Sequence, residues 1–97
     1  MRMMLRWSVP AAAGNKAISD GTLQKSIETM LEDLKPEAAY FLAVDGRRGG
    51  IVFFDMADPS SIPLVAEPLF HAYEAELELV PVMNADDLQK AFAKLAS

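Results

Sequence analysis

The 97-residue chain contains no cysteine, a single histidine and a single tryptophan. Without cysteine it can form neither a disulfide framework nor a thiolate metal or redox site. It has no apolar run near the ~20 residues that span a bilayer. Arg6 interrupts the apolar residues at the N-terminus before they reach the length of a signal-peptide core. These absences predict a cytoplasmic protein.

Concentrated positive charge is also missing. The nine lysines and arginines are outnumbered by 14 aspartates and glutamates, and the largest basic cluster is the pair Arg47-Arg48. Surfaces that bind nucleic acid or anionic membrane need a larger cluster of basic residues, so neither is an expected partner. Asp45, Asp55 and Asp58 lack the alternating spacing of a calcium loop. No metal site and no cofactor are predicted.

The residues that are present suit one α+β domain over 1–97. Period-two alternation marks strands, and apolar residues spaced three or four apart mark helices. The predicted elements are a strand Met3–Val9, a helix Asn15–Leu34, strands Ala38–Asp45 and Gly49–Met56, a helix from Asp58 to Tyr73, a strand Glu76–Val80 and a helix from Asn84 to Leu95. This β-α-β-β-α-β order with a C-terminal helix predicts a ferredoxin-like fold with a four-stranded antiparallel sheet.

Turn and capping residues set the predicted boundaries. The segment Ala11–Gly14 is predicted as a turn, and Gly46–Gly49 as the link of a hairpin. Gly21 weakens the first helix and Asp20 can cap a restart, so irregular early turns are expected. Asp58 is predicted to cap the second helix.

The second and third strands are apolar on both faces. In the second, Tyr40, Leu42 and Val44 alternate with Phe41 and Ala43. Two helices would cover one face of the sheet, which leaves an apolar patch larger than monomers usually expose. The simplest cover is a second copy related by a two-fold axis. The alternative is a monomer in which the terminal helix folds across this face.

With this element order, the chain resembles the dimeric α/β-barrel superfamily, and within it a muconolactone-isomerase-like domain family of unknown function. The resemblance rests on a first strand that ends in proline (Trp7–Pro10), on a hairpin with glycine near its turn, and on the end of the fourth strand (Glu78–Met83). It covers about Met3 to Met83. It implies two sheets from two chains facing each other around a cavity, and supplies no catalytic motif.

Three residues are candidates for catalysis. Arg6 and Glu78 lie on the polar alternation of the first and fourth strands, which are neighbours in this topology, so both would face the cavity. They could hold a carboxylate or steer a proton, although a cross-strand or inter-subunit ion pair is the commoner role. His71 could act as a general acid or base. A lone histidine is more often a surface or helix-end residue.

Trp7 and Tyr40 are candidates for ligand binding, because their large apolar rings with polar tips suit an aromatic or lactone-like ligand. Core packing is the structural alternative for both. Arg47-Arg48 could contact an anion, although a solvated turn is the simpler interpretation.

Two function classes follow. The first is a homodimeric module whose cavity holds a small molecule or is filled by side chains. The second is a cofactor-independent isomerase or monooxygenase acting on a small aromatic or lactone substrate, which needs little more than a pocket and one acid or base. Fold analogy does not decide whether the chain is an enzyme.

Overall fold

The computed structural model describes all residues from 1 to 97 and contains four strands, four α-helices and one 3₁₀ turn. The strands are β1 (Arg2–Val9), β2 (Ala38–Val44), β3 (Arg47–Asp55) and β4 (Glu76–Pro81). The helices are α1 (Ala11–Ser19), α2 (Thr22–Leu34), α3 (Ile62–Tyr73), which follows the 3₁₀ turn Pro59–Ser61, and α4 (Ala85–Ala96). None of these helices is long and apolar enough to cross a membrane.

The strands form one antiparallel sheet in the order β2-β3-β1-β4. In the pairing register, Leu5 on β1 stands opposite Val52 on β3 and Leu79 on β4. The α+β class, the four-stranded antiparallel sheet and the adjacency of the first and fourth strands are therefore confirmed. The arrangement is compatible with a ferredoxin-like fold.

The core lies between one face of the sheet and helices α1 to α3. Leu5, Val9 and Val52 are fully buried there, and Leu23 and Tyr73 pack into the same cluster from α2 and α3. We call this side the helix face. We call the opposite side the open face, and its side chains alternate with those of the core: Met4, Arg6 and Ser8 on β1; Ala38, Tyr40, Leu42 and Val44 on β2; Arg47, Gly49, Ile51 and Phe53 on β3; Glu76, Glu78 and Val80 on β4.

Helix α4 does not cover the open face. No residue of α4 is buried, and the molecule is elongated, with extents of 56 × 27 × 18 Å. The terminal helix therefore does not fold across the open face. Phe53 and Ile51 stay partly exposed, and Tyr40 is 63% exposed.

The first predicted helix is two helices. α1 begins directly after Pro10, although a turn was expected at Ala11–Gly14. The helix forms here because the three alanines are strong helix formers. The chain breaks at Gly21, whose φ of 78° is left-handed. Asp20 then accepts hydrogen bonds from the Thr22 backbone and hydroxyl. The expected irregularity and restart are confirmed at these residues, but the helix start at Asn15 was wrong.

The hairpin is confirmed, and its turn is shorter than predicted. Asp45 and Gly46 both have positive φ, 52° and 77°, as the two central residues of a type I′ turn require. Arg47 and Arg48 therefore pair within β3, opposite Val44 and Ala43. The expectation that the two arginines occupy a solvated turn is wrong.

The start of the α3 segment follows the predicted cap. The Asp58 carboxylate accepts a hydrogen bond from the Ser60 backbone N–H at 2.8 Å and another from the Ser60 hydroxyl. These bonds stabilise the charged form and hold the pKa of Asp58 below its ordinary value. The helix then runs without a break through Pro68 to Tyr73.

Replacing Asp58 with alanine is expected to lower the Tm by a few degrees at pH 7, because the cap is lost. The folded pKa of Asp58 lies below its unfolded value of about 3.9, so this stabilisation is complete above the unfolded pKa and disappears as pH falls through the folded pKa. Calorimetry from pH 7 to pH 2 should show the difference between wild type and Asp58→Ala shrinking with acid. Asp58→Asn, which keeps a capping oxygen, is the control. If the difference in Tm between wild type and Asp58→Ala grows as pH falls, the capping role of Asp58 is contradicted.

Candidate functional site

The open face carries a depression of about 190 Å³ at the end nearest the β2–β3 hairpin. Gly49 lies beside it, and a Cβ there would come within 2.3 Å of the Trp7 carbonyl oxygen and 2.7 Å of Val44 Cγ2. Only glycine permits this approach, which lets the Val44 side chain lie over β3. Val44 and Ser8 are both buried, and both line the depression. The depression is lined by Arg6, Trp7, Ser8, Val44, Asp45, Glu76, Leu77 and Glu78.

Charged groups surround this depression. Arg6 and Glu78 stand directly opposite each other in the β1–β4 pairing, as the alternation predicted. Their side chains do not form an ion pair with each other, whereas Arg47 lies 3.7 Å from Glu76. Arg6 and Glu78 therefore keep charged ends that a ligand or another chain can reach.

The Trp7 and Tyr40 side chains lie on opposite faces of the sheet. Trp7 is buried on the helix face, where its ring packs over Gly50 and meets Phe41 edge-on with centroids 6.5 Å apart. Its indole N–H has no acceptor. Tyr40 is exposed on the open face. Within one chain these two rings cannot line the same pocket, although Trp7 is one of the residues that line the depression.

His71 is separated from the depression by the sheet. It lies on α3 with a side chain that is 83% exposed, and its Nε2 is 2.9 Å from a Glu67 carboxylate oxygen. Of the three catalytic candidates, the structure brings together Arg6 and Glu78 and leaves His71 apart.

Arg2 is a polar centre that the sequence interpretation missed. Its Nε donates to Glu37 at 2.6 Å, and its Nη1 donates to Asp87 of α4 at 2.9 Å. The hydrogen bond to Glu37 is the main cause of a raised pKa for Arg2. The polar alternation of β1 places Arg2 on the same face as Arg6, four residues away along the strand, but nothing in the sequence indicates that α4 returns to it.

A second concavity, of about 240 Å³, lies between α2 and α3 on the other side of the sheet. At its border the Tyr73 hydroxyl donates to the Thr22 carbonyl oxygen and lies 2.5 Å from the Ser26 hydroxyl. These polar groups are satisfied within the chain. The concavity is also lined by Lys25, Thr29 and Asp33, and none of the residues predicted for the site lies in it.

No group of three or more histidine, aspartate or glutamate side chains is arranged to hold a metal ion. The candidate site is thus an open depression with an arginine and a glutamate at its border. Comparison of the chain with protein-family models and with curated proteins finds no match.

Proposed function

We propose that the chain is a homodimeric module of the dimeric α/β-barrel type, in which the open faces of two copies meet and enclose a small-molecule cavity. The observation that carries this proposal is the uncovered open face. Met4, Ile51 and Phe53 lie side by side across the two central strands and are only partly buried. Exposed apolar groups in such a cluster favour an interaction surface.

The total surface supports the same proposal. The chain exposes 6535 Å², whereas a folded monomer of 10.6 kDa is expected to expose about 5,500 Å². The excess of about 1,000 Å² is comparable with the ~800 Å² that each partner buries in a standard interface. A face-to-face dimer would remove an excess of this size.

The depression between Arg6 and Glu78 is the proposed ligand site. At about 190 Å³ it is smaller than the ~300 Å³ at which drug-sized pockets begin. In the proposed dimer, apolar side chains on the open face of the second copy would cover the depression. A suitable ligand is a small aromatic or lactone-like molecule with a polar group that the arginine or the glutamate can contact.

The solution mass tests the dimer. Light scattering at several concentrations is expected to give a mass near twice 10.6 kDa. A mass of one chain at every concentration would contradict the proposal, because the cavity exists only between two copies.

A cofactor-independent isomerase or monooxygenase is the second candidate function. It is favoured by one observation, namely that Arg6 and Glu78 share a depression without neutralising each other. On this interpretation Glu78→Gln abolishes turnover of a small aromatic or lactone substrate while the mass stays unchanged. Glu67→Gln, on the far side of the sheet, is the matched control. Equal turnover in both variants would leave the binding module as the function.

A further inference from the structure

Helix α4 carries an apolar stripe that its own chain leaves largely exposed. Leu88, Phe92 and Leu95 are exposed by 39%, 51% and 80%. Their spacing of four and three residues places them on one side of the helix. Most of the stability of a helix in a protein comes from packing such a side against something else. The stripe is therefore a surface without its partner.

The chain holds α4 by a different side. Asp87 accepts the hydrogen bond from Arg2, and at 3.6 residues per turn Asp87 lies about 100° around the helix from Leu88. Arg2 belongs to the open-face side of β1, so this ion pair fixes the start of α4 at one end of the open face. The apolar stripe is directed away from this polar contact.

The start of α4 is also well defined. Asn84 accepts a hydrogen bond from the Asp87 backbone N–H, and the Asp87 carboxylate accepts one from the Asn84 N–H. This reciprocal capping box satisfies two N–H groups at the helix start. The capping box and the Arg2–Asp87 contact stabilise the start of α4. The helix is therefore formed before any partner binds, and its apolar stripe is free to contact one.

We infer that α4 packs its apolar stripe against a second copy of the chain, on the part of that copy's open face formed by Tyr40 and Leu42. This inference rests on the proposed dimer. Tyr40 and Leu42 are the most exposed apolar side chains of the open face, at 63% and 44%, and they lie on its edge strand β2. The helix would extend the contact between the two sheets to this edge.

The area that a dimer needs supports a role for α4. Four strands at ~4.8 Å spacing and about 23 Å in length give a sheet footprint of about 440 Å². A 12-residue helix adds about 18 × 10 Å, or about 180 Å². α4 would therefore supply about 30% of the combined footprint of about 600 Å², in an interface whose standard size is ~800 Å² of accessible area on each partner.

Phe92→Asp and Ala93→Asp provide a matched test, because they place the same charge on neighbouring residues about 100° apart around the helix. Concentration-dependent light scattering is expected to show at least a tenfold higher dissociation constant for Phe92→Asp than for wild type. Ala93→Asp should stay within about twofold of wild type, since a surface charge outside an interface has little effect. Equal dissociation constants for the two variants would overturn the inference.

Folding is checked by circular dichroism, and neither variant is expected to change the spectrum, because α4 contributes no buried residue to the core. The two proposals fail in distinguishable ways. A wild type that is monomeric at all concentrations contradicts the dimer itself. A dimeric wild type that is unaffected by Phe92→Asp contradicts only the role of α4.

Cross-linking locates the contact, and the absence of native cysteine makes it specific. Chains with Phe92→Cys are mixed with chains that carry Tyr40→Cys and are joined with a short bis-maleimide. A covalent product between the two kinds of chain is expected. Products formed only between identical Phe92→Cys chains would show α4 packing on α4, and would overturn the assigned location.

Discussion

Phe53→Asp is expected to convert the dimer into monomers. Phe53 lies on the open face of β3, between Met4 on β1 and Ala38 on β2. In the proposed assembly the new carboxylate would be buried without a partner charge, which costs about 3–5 kcal/mol. The dissociation constant should therefore rise by about a hundredfold to a few thousandfold.

Leu64→Asp is the control for this variant. Leu64 is an exposed apolar residue of α3, on the opposite side of the sheet, so the same change should leave the dimer intact. Sedimentation velocity of both variants distinguishes the outcomes. If Phe53→Asp sediments as the wild type does, or if Leu64→Asp dissociates instead, the open face is not the interface.

Gly49→Ala is expected to cause a large loss of folding stability. Its Cβ would lie 2.3 Å from the Trp7 carbonyl oxygen and 2.7 Å from Val44 Cγ2, and backbone of the neighbouring strand cannot move aside as a flexible side chain can. Overpacking of this kind costs about 3 kcal/mol, a large part of the ~5–15 kcal/mol that holds a domain folded. Urea unfolding at one fixed protein concentration measures the loss.

Gly14→Ala should have the opposite sign. The nearest atom to a Cβ at Gly14 is Nη1 of Arg48 at 3.0 Å, the end of a long side chain that can shift by a few tenths of an ångström and keep its hydrogen bond to Asn15. Alanine is favoured over glycine within a helix by up to about 1 kcal/mol. The two variants make the same chemical change in different surroundings. A Gly49→Ala variant that is as stable as Gly14→Ala and the wild type would show that the close approach at Gly49 is tolerated.

The sequence predicts strands well where alternation is strong. Leu5 and Trp7 alternate with Met4 and Arg6, and this pattern alone assigns the two faces of β1. Boundaries that depend on local turns are harder to place. The predicted hairpin link began at Gly46, because a glycine at each end suggested a loop, whereas the Asp45-Gly46 pair suffices for a two-residue turn.

Only part of the geometry of the candidate site could be predicted from the sequence. The opposition of Arg6 and Glu78 follows from topology and alternation. The depression itself does not, since it depends on Val44 leaning across Gly49, a contact between strands that is set by side-chain volume. The Arg2–Asp87 pair joins residues far apart in sequence, and no local pattern encodes it.

Strand β2 has one further consequence, which concerns how the purified protein behaves when concentrated. One edge of β2 pairs with β3 and the other pairs with no strand, and its segment AAYFLAV has no charge and no proline. Such an edge can template the addition of a strand from another molecule. A mass above that of a dimer, measured by light scattering, would then indicate that several molecules pair through the free edges of their sheets. Ala43→Glu, which lies opposite Arg48, should suppress that growth and leave the open face untouched.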